Sequence, residues 1–255
     1  MEQVIGRLLM PALLLGLRIA GMMSFAPFLG STSISVRFKA MLTIALTVLL
    51  YPVCAPRAVN VTAANWLGIV ITESCLGLLM GLTVQLVFEG AQFAGQMSSI
   101  QMGLSLVTIL DPQTQADTPV ISVFYQTVAL LLFLQFDVHH WMLRALVRSY
   151  AMMPVGSVTI SQPLLAEFLH IAGAMLVVGI EIAAPVVVVT MIIDISLSFL
   201  SKASPQLPVM FVSVPAKFLL GLAVLVAALA CWPSFFEAHF GAALATADRI
   251  LRMAH

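Results

Sequence analysis

The stretch QLVFEGAQFAGQMSSIQMG, Gln85–Gly103, decides the fold class, because its polar and small residues recur every three or four positions. That spacing places them along one face of an α-helix. This stripe consists of Gln85, Glu89, Gln92, Gln96, Ser99 and Gly103. The spacing allows two interpretations. The stripe faces water or a packed partner, or it is the solvated side of a helix that continues the apolar segment before it.

Small residues run beside the stripe at intervals of four. The pairs are Gly77 with Gly81, Gly90 with Ala94, and Ala91 with Gly95. Such pairs let helix backbones approach closely in a membrane, where no hydrophobic force drives helices together. The sequence therefore predicts a helix with a tight packing face next to a polar stripe.

The composition extends this prediction to the whole chain. Hydrophobic residues make up 61% of the 255 residues and charged residues 9%, against roughly 45–50% and about 25% in soluble domains. So few charges cannot cover a water-soluble surface, which indicates an integral membrane protein in contact with lipid, or part of an apolar assembly. The net charge is zero and no basic block occurs, so no nucleic-acid partner is predicted.

Apolar spans of roughly 20 residues, enough to cross a ~30 Å hydrocarbon core, predict an all-α polytopic membrane protein of about six helices with kinked hairpins. These apolar spans lie near 8–29, 40–59, 66–88, 120–136, 164–184 and 211–232. The first is interpreted as a retained helix. Pro185 predicts a kink or tight hairpin near 183–186. Pro205, Pro208 and Pro215 predict a turn at 203–208 and a last helix starting near Pro215.

Charged residues interrupt the apolar helices, and a charge facing lipid costs a few kcal/mol or more. The predicted buried charges are Arg18, Glu73, Glu181 and Asp194. We expect each acid to pair with a base, for example Arg18, Lys202 or Lys217. The alternative is an ion-coupled secondary transporter that uses the three carboxylates, although no internal repeat supports it.

No motif for catalysis or nucleotide binding occurs, so we predict no enzyme, no catalytic residue and no cofactor. The three cysteines are scattered singly and indicate neither a disulfide framework nor a metal site. His139 and His140 are adjacent, so we expect them to point to different sides of a helix. With Asp137 and Trp141 they are interpreted as a polar cluster at a membrane boundary.

The most prominent polar interruption is Asp111, Pro112, Gln113, Thr114, Gln115, Ala116, Asp117, Thr118 and Pro119. It joins two apolar segments, so water or protein must satisfy its backbone. Its prolines stiffen both ends, because the residue before proline is pushed out of the α region. An ordinary surface loop remains the alternative.

Four strings in this order carry a resemblance to a known family. They are GAQFAGQMSSIQMGLSLVTILDP, TPVISVFYQTVALLLFLQFDVHHW, SYAMMPVG, and EIAAPVVVVTMIIDISLSFLSKASPQLPVMFVSVPAKFLLGL. The chain resembles the FliR family of flagellar type III export-gate proteins, whose injectisome counterparts share the architecture. One departure is Asp137-Val138-His139, where the family often has Asn-Gly-His.

The resemblance implies a single domain over residues 1–255, with a FliP-like part at about 1–160 and a FliQ-like helical hairpin and tail at about 161–255. It implies a membrane subunit that helps form and seal the pore for unfolded flagellar substrates. The implied location is the bacterial inner membrane, in the flagellar basal body. The implied partners are FliP-like and FliQ-like membrane subunits and FlhB-like and FlhA-like export components.

The resemblance also implies roles for particular residues. The segment Asp111–Pro119 would be the pore plug, and the stripe would line or pack near the lumen. Partner contacts would involve Pro205, Gln206 and Lys217. An injectisome export gate remains the alternative within the family.

Overall fold

A computed structural model describes residues 2–27, 34–54, 66–104, 119–155, 162–204, 206 and 209–253. Within these ranges the chain forms eight α-helices and no strand. The helices are α1 (Glu2–Phe25), α2 (Val36–Cys54), α3 (Trp66–Gln101), α4 (Val120–Gln135), α5 (Val138–Met152), α6 (Gln162–Ala203), α7 (Val209–Ala228) and α8 (Trp232–Met253). The prediction of an all-α polytopic membrane protein is confirmed.

In the part of the chain that the structure describes, four helical stretches are long and apolar enough to cross a membrane: Val36–Cys54, Trp66–Gln101, Leu169–Ala203 and Phe211–Ala228. A fifth crossing arises if α4 and α5, bent by 63° at a short break, form one span. The sequence predicted about six spans, because the apolar segments of α1 and α4 were each counted as one span. The apolar part of α1, Leu9–Phe25, belongs to the shorter apolar helices.

Two helices are much longer than a bilayer requires. Helix α3 has 36 residues and α6 has 42, which at 1.5 Å per residue is roughly 54 Å and 63 Å, against a hydrocarbon core of ~30 Å. Polar segments of these helices can therefore stand outside the lipid. Helix α3 contains the stripe from Gln85 to Ser99, whereas Gly103 lies in a turn just after the helix ends at Gln101. The stripe therefore lies on a helix that continues the apolar segment before it, a feature of the second interpretation.

Pro185 lies inside α6, which runs without a turn from Gln162 to Ala203. The alternative of a tight hairpin near 183–186 is therefore wrong. Proline removes only one backbone hydrogen bond, to the carbonyl four residues earlier, and membrane helices tolerate that loss where neighbours pack around them.

The prediction of a last helix starting near Pro215 is also wrong. Helix α7 begins at Val209 and includes Pro215, and the amphipathic helix α8 follows it. Gln206 lies in a turn before α7. Pro205 and Pro208 lie outside the described residues.

The chain divides into two compact units, each of which we describe by itself. Unit 1 comprises residues 1–87, 133–172 and 240–255, and unit 2 comprises 88–132 and 173–239. In unit 1, α1 and α2 pack together, whereas none of the residues of α2, all of which are described, is buried. Buried side chains at the centre of unit 1 are Leu15, Ile19, Met22, Leu76 and Leu146; in unit 2 they are Met102, Tyr125, Ala129, Leu225 and Phe236.

Candidate functional site

A buried ion pair links α1 to α3 in unit 1. Arg18 Nε donates a hydrogen bond to Glu73 Oε2 at 2.7 Å, and Arg18 Nη2 lies 2.7 Å from the same oxygen. Both side chains are 0% exposed. A buried charge is tolerated only when it is paired and hydrogen-bonded, so this pair fixes α1 against α3.

The remaining donors of the guanidinium bind α5 and the residue that follows it. Arg18 Nη1 donates to Ser149 Oγ at 3.1 Å, and Nη1 and Nη2 donate to the Met153 carbonyl at 3.2 and 3.3 Å. The Tyr150 ring lies 4.4 Å from the guanidinium carbon, and its hydroxyl donates to the Leu15 carbonyl at 2.8 Å. We call Arg18, Glu73, Ser149, Tyr150 and Met153 the arginine cluster. It joins three helices through one cation.

Glycines bring α1 and α3 close enough for this cluster to form. A Cβ atom added at Gly77 would collide with the Arg18 carbonyl, and one at Gly81 would lie 2.5 Å from the Met22 carbonyl. On the facing helix, a Cβ at Gly21 would lie 2.6 Å from the Ser74 carbonyl. The predicted close-packing role of Gly77 and Gly81 is confirmed, because nothing larger than hydrogen fits between the two backbones.

In unit 2 the stripe residues occupy mixed environments. Ser99 is buried, whereas Gln92, Gln96 and Gly103 are half-buried. Gln126 Nε2 on α4 donates to Gln92 Oε1 at 3.1 Å. The stripe therefore contacts another helix of the same chain at Gln92. Glu89 is half-buried in unit 2, and Gln85 is half-buried in unit 1.

Further contacts hold α3 and α4 side by side. The hydroxyls of Ser98 and Tyr125 lie 3.2 Å apart within hydrogen-bonding distance, and both side chains are buried. A Cβ at Gly95 would collide with the Ser122 backbone. These contacts lie near the end of α3 and the start of α4, so they fix the two ends of the segment between them.

Two further acids pair within unit 2, and neither is buried in this chain. Glu181 Oε2 lies 3.4 Å from His239 Nε2, and Asp194 Oδ1 contacts Lys217 Nζ. The Glu181 and Asp194 side chains are 49% and 45% exposed, respectively. Whether an assembly buries these two predicted charges stays a prediction.

The segment predicted as a plug lies almost entirely outside the described residues, since 105–118 are not described. Its last residue, Pro119, precedes α4, and its carbonyl accepts hydrogen bonds from the Ser122 and Val123 amides at 2.9 and 3.3 Å. The expected stiff end at Pro119 therefore coincides with a helix start. Of the predicted partner contacts, Gln206 is exposed and Lys217 is bound to Asp194.

The corner between α4 and α5 contains a polar cluster. Asp137 has a left-handed backbone (φ 55°), a conformation for which Asp and Asn are enriched. Its Oδ1 lies 3.1 Å from His140 Nδ1 and 3.9 Å from His139 Nε2, and the two imidazole rings are 4.1 Å apart. The expectation that the histidines point to different sides is wrong, because both rings turn toward one carboxylate in the first turn of α5.

Among the described residues, Asp137, His139 and His140 form the group whose ligand atoms could hold a metal ion, all within 4.8 Å. Metal-bound histidines usually donate their other N–H to an oxygen. His139 Nδ1 is buried without a hydrogen-bond partner in the part of the chain that is described. Asp137 and His140 are exposed and His139 is half-buried, so the group forms a polar corner at the start of α5.

The sequence reasoning missed Ser149, Tyr150 and the Met153 carbonyl. Tyr150 lies in the SYAMMPVG string together with these ligands of Arg18. The ligands are 131 or more residues away from Arg18 in the sequence, so no spacing motif connects them to it. A backbone carbonyl carries no residue-type signal at all. These partners become visible only when the fold brings the segments together.

Comparisons with known proteins identify the family. A sequence profile described as "Bacterial export proteins, family 1" matches residues 9–243. The chain is similar to "Flagellar biosynthetic protein FliR" of Pectobacterium carotovorum subsp. carotovorum, with 28% identity over 220 residues, which cover 86% of this chain and 84% of the relative. It is similar to the protein of that name from Escherichia coli (strain K12), with 26% identity over 221 residues, 87% and 85% of the two chains. The protein of that name from Aquifex aeolicus (strain VF5) is 27% identical to this chain over 226 residues, which cover 88% of this chain and 86% of the relative. The chain therefore belongs to the bacterial export proteins of family 1.

Proposed function

We propose that this chain is a membrane subunit of the flagellar type III protein export gate, which helps form and seal a pore for unfolded flagellar substrates. The observation that carries the proposal is the family match over residues 9–243, together with relatives named as flagellar biosynthetic proteins. Those names favour a flagellar over an injectisome role. The four or five candidate spans support a membrane location, which we place in the bacterial inner membrane at the flagellar basal body.

The segment Asp111–Pro119 is the plug in this proposal. Support comes from the helices on either side of it, which are held together by the Ser98–Tyr125 contact and by the close approach of Gly95 to Ser122. A segment with fixed ends loses less entropy when it occupies one position. The polar side chains of the segment suit a water-filled lumen.

The stripe on α3 serves partly as packing and partly as lumen lining. The Gln92–Gln126 hydrogen bond and the burial of Ser99 support packing at those positions. Half-exposed residues such as Gln96 remain available to water or to a partner. The proposed role needs no catalytic group, because conduction and sealing are physical tasks.

The partners in this proposal are FliP-like and FliQ-like membrane subunits and FlhB-like and FlhA-like export components. The contact region includes Pro205, Gln206 and Lys217. Its support is the exposed, apolar surface of α7, where Phe211 is 82% exposed, together with the exposed Gln206. The division into a FliP-like part at about 1–160 and a FliQ-like hairpin and tail at about 161–255 belongs to the same proposal.

The plug is tested by replacing Gln113–Asp117 with a flexible glycine–serine segment of equal length. We expect normal co-purification with the gate subunits and increased leakage of small ions across the membrane. Leakage is measured as dye release or loss of membrane potential in cells that express the variant. An assembled complex with a tight membrane would contradict the plug assignment.

An ion-coupled transporter is the competing mechanism, and the paired acids test it. Replacing Glu181 and Asp194 by Gln and Asn should reduce assembly of the complex. A normally assembled complex that has lost proton-driven export would favour the transporter.

A further inference from the structure

A cleft between α5 and the Phe240–Met253 part of α8 combines a tryptophan with two arginines. It lies within unit 1 and has a volume of about 310 Å³. Its lining residues are Trp141, Arg144, Ala145, Arg148, Leu244, Ala245 and Asp248. Trp141, Arg144 and Arg148 follow one another at helical spacing and so share one face of α5. The role proposed above uses none of these residues.

The cleft carries an excess of positive charge. Arg148 Nη1 donates to Asp248 Oδ2 at 2.9 Å. Arg144 is exposed and has no polar or charged partner among the described residues. Two arginines against one aspartate leave one positive charge in the lining. An anion that enters the cleft therefore meets a free guanidinium beside one that Asp248 already orients.

Both helices around the cleft have the character of interfacial helices. Helix α5 is amphipathic and bends away from the apolar helix α4 by 63°. Helix α8 is also amphipathic, and it turns Phe240, Ala247 and Ile250 inward while Asp248 lies at the cleft. Amphipathic helices with arginine and tryptophan lie in the headgroup region of a bilayer.

The position of Trp141 agrees with that depth. Trp141 is exposed and lies four positions after Asp137, at the polar corner where apolar α4 ends. Tryptophan is enriched where hydrocarbon meets headgroups, because its ring is apolar and its N–H is a donor. At that depth, the most abundant anion that a guanidinium can meet is a lipid phosphate.

We propose that this cleft binds the headgroup phosphate of an anionic membrane phospholipid. Arg144 donates to the phosphate oxygens, in the planar geometry that suits guanidinium and phosphate. Arg148, held by Asp248 through Nη1, offers its other N–H groups as donors without leaving its ion pair. Trp141 packs against the glycerol and upper acyl region. The proposal rests on the membrane location of the chain and not on the export role.

The test measures the lipid preference at Trp141. The full chain is reconstituted in phosphatidylcholine vesicles that contain either brominated phosphatidylglycerol or brominated phosphatidylcholine, which quench nearby tryptophan fluorescence. Subtracting the signal of Trp141→Phe isolates the contribution of Trp141. We expect phosphatidylglycerol to bind about fivefold more strongly than phosphatidylcholine, as one arginine near a lipid headgroup provides. High salt should reduce the preference.

Two variants change the charge of the cleft in opposite directions. Arg144→Gln should remove most of the preference, and Asp248→Asn should increase it by about fivefold, because it frees Arg148. The matched control is Arg37→Gln, an exposed cation on α2, which should leave quenching at Trp141 unchanged. If Arg144→Gln does not fold, Asp248→Asn still tests the proposal.

Three results would overturn the proposal. Trp141 could be quenched equally by both lipids, or Arg144→Gln and Arg37→Gln could have equal effects. Inorganic phosphate, added at matched ionic strength, could abolish the preference, which would assign the site to the free anion. A preference that survives phosphate and follows the sign of the cleft charge supports a lipid site.

Discussion

Two ion pairs of the same chain, Arg18–Glu73 in unit 1 and Asp194–Lys217 in unit 2, lie in opposite environments. The first is 0% exposed, and every nitrogen of its guanidinium has a partner. In the second, the aspartate side chain is 45% exposed and the lysine 18%. Exposed apolar residues, among them Met191 and Ile195, lie near Asp194 on α6.

The difference indicates two uses for a charge in an apolar chain. The arginine cluster is complete within the chain, so it serves to fix α1, α3 and α5. The Asp194–Lys217 pair leaves oxygen lone pairs of the carboxylate open on an apolar surface. We infer that a partner subunit or a lipid headgroup covers it in the assembled membrane protein.

The largest effect should come from breaking the arginine cluster. Glu73→Ala leaves a buried arginine without its counter-charge, and we expect the free energy of unfolding in detergent micelles to fall by ~3–5 kcal/mol. The control is the double variant Arg18→Met with Glu73→Ala, which removes both charges and should recover a large part of that loss. A single variant as stable as the wild type would contradict the structural role of the pair.

The close approach of α1 to α3 gives the next effect. In Gly77→Ala the new Cβ collides with the Arg18 carbonyl, so the helices must separate at a cost of about 1–3 kcal/mol. Gly68→Ala, on the same helix, is the matched control, because nothing lies within 4 Å of its Cβ. There we expect no loss, or a gain of up to ~1 kcal/mol from helix propensity. Thermal unfolding that shows equal loss for both variants would disprove the packing argument.

A smaller effect should follow from the buried hydroxyl pair in unit 2. Tyr125→Phe removes the contact with Ser98, and we expect a loss of about 1 kcal/mol in the free energy of unfolding. Tyr51→Phe, on the exposed helix α2, serves as the control and should be neutral. If the two variants behave alike, the Ser98–Tyr125 contact does not hold α3 to α4.

The smallest effect on the chain itself should come from changing the partly exposed pair Asp194–Lys217. Asp194→Asn should change the free energy of unfolding by less than about 1 kcal/mol, because a partly exposed pair contributes little. Its effect should appear instead in assembly, measured as co-purification with the other membrane subunits of the gate. Loss of chain stability comparable to that of Glu73→Ala would contradict the distinction between the two pairs.

The sequence predicted the features that depend on local spacing. Glycines four residues apart indicated the tight face of α3, and the apolar spans indicated an all-α membrane protein. The charges Arg18 and Glu73 were predicted from their cost in lipid, and the structure places them together. Such inferences succeed because the physical rule acts within one helix or on one residue.

The sequence did not predict features that depend on tertiary contacts. The ligands of Arg18 on and after α5 include a backbone carbonyl, and a carbonyl ligand cannot be predicted from the residue type. Pro185 was interpreted as a kink or a hairpin, but the helix continues, since packing decides whether one missing hydrogen bond ends it. The two histidines share one carboxylate because Asp137 adopts a left-handed backbone, which a sequence pattern does not show.

The most direct test of the export role is secretion of hook protein by a strain that lacks this chain. We predict no motility and no hook protein in the medium, with both restored by the wild-type chain on a plasmid. Glu73→Ala should fail to restore them, whereas Gly68→Ala should succeed. Normal secretion in the strain without the chain would contradict its assignment to the flagellar export gate.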